Sequence, residues 1–413
     1  MENASTRLAR LRAVLVGNWL SALGVVFFGV AITWHLNEAV GVQKAAWIIG
    51  LVQFLPAALA IPVTVAFIDR VSKAQIVLRT DEARILVSFV SAAVIYIYGQ
   101  QRAVMLVTII IAIACLRVAD AFYTPAIRAS VGSAIRSGTK YSAQFYLTVT
   151  ALSVGLVAPL IVPVAAKSSV ALAFVVNGVT YLAAYVCFRT AGTKLLDAES
   201  TSPRTHAVGH WWGQVKEGLR TMWNIPTLKL ILPTLPMIDL CASAVMVLGP
   251  AIAGAQTAMD AVYFYALIVA VSSISQVAGP FVYKHLAQYR FDGMIIATNC
   301  CTQALAYGIA AMLIGTPYYV IPLVVVGVCV GMNQLAINEL IQHECPTQAL
   351  GRVFTLLPFV VLLAMPLGPL LTGYLSQFSL QVAVGAVAVA LFAVGIPPLA
   401  SASIRSFQLR APK

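Results

Sequence analysis

Charge is scarce in this 413-residue chain: Asp, Glu, Lys and Arg together make up 10% of it, against 60% hydrophobic residues. A soluble domain carries about 25% charged residues, enough to cover its core with a wettable surface. A set of 26 basic and 14 acidic residues is too small for several soluble domains. With a mean hydropathy of +0.90, the solvent for much of this surface is lipid. None of the seven cysteines stands in a CxxC spacing or beside a histidine pair, which argues against zinc or any other metal centre. No Walker loop, HExxH or GxSxG occurs, so ATP-driven transport, metalloprotease chemistry and serine hydrolysis lack their residues. The chain is therefore not expected to be an enzyme or to hold a cofactor. Its net charge of +12 raises the question of nucleic acid. The basic residues, however, fall in short gaps between apolar runs, so no nucleic-acid partner is expected.

What is abundant is long apolar runs. A helix needs about 20 apolar residues to cross a hydrocarbon layer of about 30 Å. That window yields twelve candidate spans: 13–36, 45–68, 74–98, 103–126, 141–165 and 168–188, then 227–250, 261–283, 293–314, 318–341, 353–376 and 380–402. The runs are continuous rather than alternating, which points to helices and not to a barrel. Val14 to Leu36 is too long for the apolar core of a signal peptide and reads as a retained first span. With the amino terminus inside, three outward loops hold one basic residue each, Lys44, Arg102 and Lys167, leaving 23 of the 26 inside or within spans. This asymmetry places both termini in the cytoplasm. On that topology no cysteine lies in an outward loop, so packing cysteines rather than disulfides are expected.

The longest polar stretch lies near the middle. It divides the chain into an amino-terminal six-helix bundle (1–188), a cytoplasmic linker (189–226) and a carboxy-terminal six-helix bundle (227–413). Within the linker, Trp211, Val215, Leu219 and Met222 recur at helical spacing, as in an interfacial amphipathic helix or a cap helix. Arg70 and Lys284 close corresponding junctions 214 residues apart, and Pro159 and Pro369 recur at an offset of 210. Two similar offsets indicate a duplicated six-helix unit. The fold class is thus an all-α polytopic membrane protein of about twelve transmembrane helices in two pseudo-symmetric six-helix bundles.

Several motifs then carry a family likeness. Asp69, Arg70 and Lys73 follow the second span, with Val65 where a glycine would stand. Asp81 and Arg84 lie in the third span, Arg117 in the fourth, and Pro125-Ala126-Ile127-Arg128 at its end. His343-Glu344-Cys345-Pro346 and Gly351-Arg352-Val353-Phe354 follow the tenth. Together these resemble the major facilitator superfamily, in its branch of enterobactin-exporter-like and macrolide-efflux-like drug:proton antiporters. The antiporter signature of the fifth span is degenerate: Pro159 is present, Ala158 replaces one glycine and Pro163 another. The resemblance implies a monomeric secondary transporter of the inner membrane that exports an amphipathic small molecule, a drug or siderophore, in exchange for protons. A lipid transporter of the same fold is the alternative, and a transporter-shaped sensor a remote one. The likeness also implies a gate or latch at Asp69, Arg70, Lys73, Asp81, Arg84 and Arg128.

Ionisable groups inside spans are the informative ones, because a charge in the bilayer needs a partner or a water path. Arg117 and Asp120, three apart on one helix face, either exchange a proton or form a permanent ion pair. Asp239 lies in the seventh span after Pro233 and Pro236. A broken helix beside a lone carboxylate is a candidate proton site, or an acid near a span end with access to water. Asn18, Gln53, Gln303, Gln334, Asn338 and Glu339 are candidates for the substrate cavity, or else glue between helices. His35 sits at the outer end of the first span, where it could sense pH or simply rest in the interface.

Overall fold

We describe residues 4–68, 71–135, 143–191, 233–286, 292–344 and 359–401 of a computed structural model, with the isolated positions Gly213, Arg220, Trp223 and Lys229. Twelve α-helices are labelled here. In the first half they are α1 (Ala4–Val40), α2 (Val42–Ile68), α3 (Lys73–Tyr98), α4 (Arg102–Ile135), α5 (Ala143–Lys167) and α6 (Val170–Ala191). In the second half they are α7 (Thr234–Ala255), α8 (Ala261–Leu286), α9 (Asp292–Leu313), α10 (Val320–Glu344), α11 (Leu367–Leu375) and α12 (Leu380–Ala400). No strand occurs among the described residues.

Helices follow from the solvent. In hydrocarbon each backbone N–H and C=O must be satisfied within its own segment. Nine of these helices are long and apolar enough to cross a membrane, among the described residues. Two of the remaining three differ for physical reasons. Lys73, Arg79, Asp81, Glu82 and Arg84 load the first half of α3 with charge. The run leading into α11 is interrupted by a turn at Met365 and Pro366. Local signals set the ends. Ser72 caps α3 by accepting from the Gln75 N–H at 3.3 Å, and Ser379 caps α12 by accepting from Val382 N–H at 3.0 Å. Gly41, at φ +80°, supplies the left-handed residue that separates α1 from α2. The linker's proposed amphipathic helix falls outside the described residues, apart from the helical, exposed Gly213, Arg220 and Trp223.

By its contacts the chain divides into two units, Met1–His35 with Val52–Trp211, and Leu36–Leu51 with Trp212–Lys413. The junction between α1 and α2 thus belongs to the second unit, where Trp47 Nε1 donates to the Leu370 carbonyl of α11 at 3.1 Å. In the first unit, α3 packs on α4 and on α6. Val14, Ile76, Val77, Tyr123, Ile127 and Phe188 form a buried core where α1, α3, α4 and α6 meet. In the second unit, α9 packs on α10 and on α12. The α3 pattern recurs six helices later, as a duplicated six-helix unit requires. Helix α8 crosses α10 closely. A Cβ on Gly279 would meet the Gly331 backbone at 2.6 Å, so glycine on both sides lets the two backbones touch.

Candidate functional site

Asp81 lies eight residues into α3, and Arg84 follows one turn later on the same face. Their side chains are 0% and 2% exposed, and Arg84 Nη1 donates to Asp81 Oδ1 at 3.0 Å. Arg84 also reaches α4, where its Nη2 donates to Asp120 Oδ1. The other oxygen of Asp120 accepts from Arg117 Nη1 at 2.8 Å. Two arginines and two aspartates thereby form one chain: Asp81, Arg84, Asp120, Arg117. Charge cancels across it, which makes the burial tolerable. An uncompensated charge in the bilayer costs several kcal/mol.

Aromatic residues complete the walls. The Arg84 guanidinium carbon lies 3.9 Å from the centroid of the Tyr123 ring and 5.2 Å from that of Tyr181. A desolvated cation over a ring face gains about 2 kcal/mol. Tyr123 in turn donates its hydroxyl to Asn18 Oδ1 at 3.3 Å, tying α4 to α1. On α6, Asn177, Tyr181 and Tyr185 stand four residues apart and face the polar side of α3. Asn177 Nδ2 donates to Ser88 Oγ at 3.5 Å, and Tyr185 donates to Glu82 Oε1 at 3.0 Å.

Accessibility grades the network. Asp120 and Arg117 are 21% and 19% exposed, whereas Asp81 and Arg84 are sealed. Hydrogen-bonding capacity also remains unused. Arg84 Nε, Arg117 Nε and Asp81 Oδ2 have no partner among the described residues.

The structure therefore unites two pairs that the sequence presents separately. Arg117 with Asp120 was expected as a coupling pair, and Asp81 with Arg84 as part of a latch. Arg84 joins them, and Asn18 adjoins them through Tyr123. Sequence reasoning missed Tyr123 and Tyr181. Their signal was the i, i+4 stripe Asn177-Tyr181-Tyr185 on a mostly apolar helix, and Tyr123 one turn beyond Asp120. Gln53, half-buried on α2, takes no part in the network's hydrogen bonds. Lys73 is the first residue of α3. Asp69 and Arg70, and the side chains of Arg128, Asn338 and Glu339, lie outside the described residues.

In the second unit, Asp239 is the sixth residue of α7 and has no hydrogen bond or ion pair among the described residues. The expected proline break takes a milder form there. Pro233 precedes α7 and Pro236 sits in its first turn, where a missing N–H removes no helix bond. Ser243, one turn beyond Asp239, donates to the carbonyls of Leu240 (2.8 Å) and Met365 (3.3 Å), so it serves packing. Gln303 is 1% exposed, and its Nε2 has no partner among the described residues. Gln334 lies exposed on α10. At the outer end of α1, His35 Nε2 stands 2.5 Å from the Ser168 carbonyl. No cluster of His, Cys, Asp or Glu fit to hold a metal ion occurs among the described residues.

Comparisons with known proteins bear on the fold and the family. The peptide transporter POT in complex with sulfate matches 97% of this chain and 96% of its own, at a TM-score of 0.70 and 13% identity. A POT family transporter in complex with 5-aminolevulinic acid covers 94% and 95% at a TM-score of 0.70 and 9% identity. The human organic anion transporter MFSD10 (TETRAN) covers 96% and 100% at 0.66 and 10%. At such identities the likeness shows the fold alone. Among curated proteins, none matches the sequence significantly. The family profile described as Major Facilitator Superfamily, by contrast, matches residues 14–369. The chain is a member of the Major Facilitator Superfamily, a secondary transporter that works by alternating access rather than an enzyme.

Proposed function

We propose that this transporter is a proton-coupled exporter of an amphipathic small molecule, a drug or siderophore, in the inner membrane, with both termini cytoplasmic. The observation that carries this reading is the position of Asp120. It bridges two arginines and is the more accessible of the network's two carboxylates. A proton that binds Asp120 neutralises the carboxylate and weakens both of its bonds. Arg84 keeps Asp81 as its counter-ion, while Arg117, on the accessible side, loses its own. Loss of the proton restores the bridge. Protonation thus exchanges one set of contacts within α3 and α4 for another, and alternating access needs such a pair of discrete states. Asp239 is a second carboxylate able to carry a proton.

The test uses inside-out vesicles, an imposed pH gradient and a fluorescent amphipathic cation. Uptake should require acid inside the vesicle, collapse with a protonophore, and lose its gradient-dependent part in Asp120→Asn. Export unchanged in the Asp120→Asn/Asp239→Asn double variant would remove the coupling mechanism. Absence of any gradient-dependent uptake would remove drug:proton antiport and leave the family membership standing.

A further inference from the structure

A cleft of about 900 Å3 runs between α3 and α4 within the first unit. Its α3 wall is a ladder of residues four apart, Gln75, Arg79, Ala83 and Val87, with Val71 just before the helix. At 1.5 Å rise per residue the ladder is about 18 Å long. Half a hydrocarbon core plus one headgroup layer comes to about 20 Å, so the cleft has the length of one leaflet. It is also amphipathic along that length. Gln75, Arg79 and Thr80 lie towards the Lys73 end, and Ala83, Val87, Cys115 and Val118 lie beyond. It lies on a lipid-contacting face. Leu86, Val90, Ile111 and Val118 on the same helices are all exposed large hydrophobics.

Charge selects the occupant. Among the described residues, two arginines line the cleft and no acid does. Arg79 is 82% exposed, and Glu82, which pairs with it at 2.9 Å, is also bonded by Tyr185 of α6. A surface pair of this kind is weak, so Arg79 remains free to engage an anion. Arg84 lines the interior of the cleft and is 2% exposed, with an Nε that has no partner among the described residues.

We propose that this cleft holds one anionic phospholipid of the leaflet at the Lys73 end of α3, the inner leaflet in the topology above. Its phosphate sits on Arg79 and Gln75, and one acyl chain lies along the ladder against Cys115 and Val118. The chain keeps water away from the lipid side of Arg84, so lipid occupancy supports the pairing of Arg84 with Asp81 and Asp120.

Cys115 is exposed in the cleft and reports its occupancy. Full-length protein in detergent is titrated with phosphatidylglycerol or phosphatidylcholine and labelled with N-ethylmaleimide. Cys115 is followed by mass spectrometry, with Cys301 of the second unit as the reference. Phosphatidylglycerol should protect Cys115 at about five-fold lower concentration than phosphatidylcholine, the preference that one basic residue confers. Arg79→Gln should erase that preference. Ala83→Phe, a filling substitution at an exposed position, should abolish protection by either lipid while the protein stays monodisperse. Equal protection by the two lipids, a preference unchanged in Arg79→Gln, or protection that Cys301 shares would overturn the proposal. None of these readouts depends on transport.

Discussion

In the first unit α3 buries the charged Asp81 and Arg84 beside Ser88 and Ser91 and joins them to Asp120 of α4, whereas in the second unit the corresponding helices, α9 and α10, bury amides among the described residues. Asn299 Nδ2 donates to Asn333 Oδ1 and to the Cys329 carbonyl, each at 2.7 Å, and both asparagines are nearly sealed. The two sites stand on equivalent helices of the duplication, yet they differ in what they can do. A carboxylate between two guanidinium groups changes its bonds when it takes a proton. An amide has no such second state in the accessible pH range, so it holds helices together and does no more. The comparison teaches that equivalent helices can carry unlike sites. On the function proposed above, the charged network of α3 and α4 divides the labour with the amide pair of α9 and α10, the first suited to coupling and the second to holding helices, while Asp239 of α7 keeps a proton carrier in the second unit.

The comparison can be broken most severely at Arg84. Arg84→Leu strands Asp81 as a buried, unpaired charge, and removing one partner of a buried pair costs about 3–5 kcal/mol. Thermal unfolding in detergent should show a large drop, and Asp81→Asn in the same chain should recover much of it. A small drop would mean that the network is solvated rather than sealed. Next in size is the glycine contact that stiffens the second unit. Gly331→Val forces α8 and α10 apart, an overpacking that costs about 1–3 kcal/mol, measured by the same melt. Transport should fall only as far as the amount of folded protein falls.

The amide pair gives a sharper contrast. Asn299→Leu leaves Asn333 without its donor and should cost about 1 kcal/mol, whereas Asn299→Leu/Asn333→Leu removes both partners and should cost less than the single change. The matching double change in the first unit, Asp120→Leu/Arg117→Leu, should instead abolish gradient-driven uptake whatever its effect on stability. Equal loss of uptake from both doubles would end the division of labour. The smallest effect belongs to Arg79→Gln, a substitution at an exposed position, for which a change in stability within about 0.5 kcal/mol is expected. A large loss of stability there would make the Arg79–Glu82 pair structural.

Much of this molecule was legible in the chain of residues. Long apolar runs in a protein with 10% charged residues leave only helices as a solution, because lipid offers backbone groups no partner. The starts of α3 at Lys73 and of α12 at Leu380 fall within a residue of the expected spans, and Ser72 and Ser379 supply the caps. Periodicity also paired Asp81 with Arg84, and Arg117 with Asp120, since residues three apart share a helix face. Around α7 the described helix begins at Thr234 after Pro233, while the start of the span read from 227 lies outside the described residues.

What the sequence determined by itself was the solvent, the helices, their number and the two local ion pairs, because each depends on residues within one or two turns. Tertiary structure alone decided that Arg84 of α3 bonds Asp120 of α4, 36 positions away. It alone laid Tyr123 and Tyr181 against that arginine, sealed Asp81 while leaving Asp120 partly open, and assigned Leu36–Leu51 to the second unit. The physical reason is that helical periodicity fixes which side chains share a face, whereas packing against other helices fixes what that face meets.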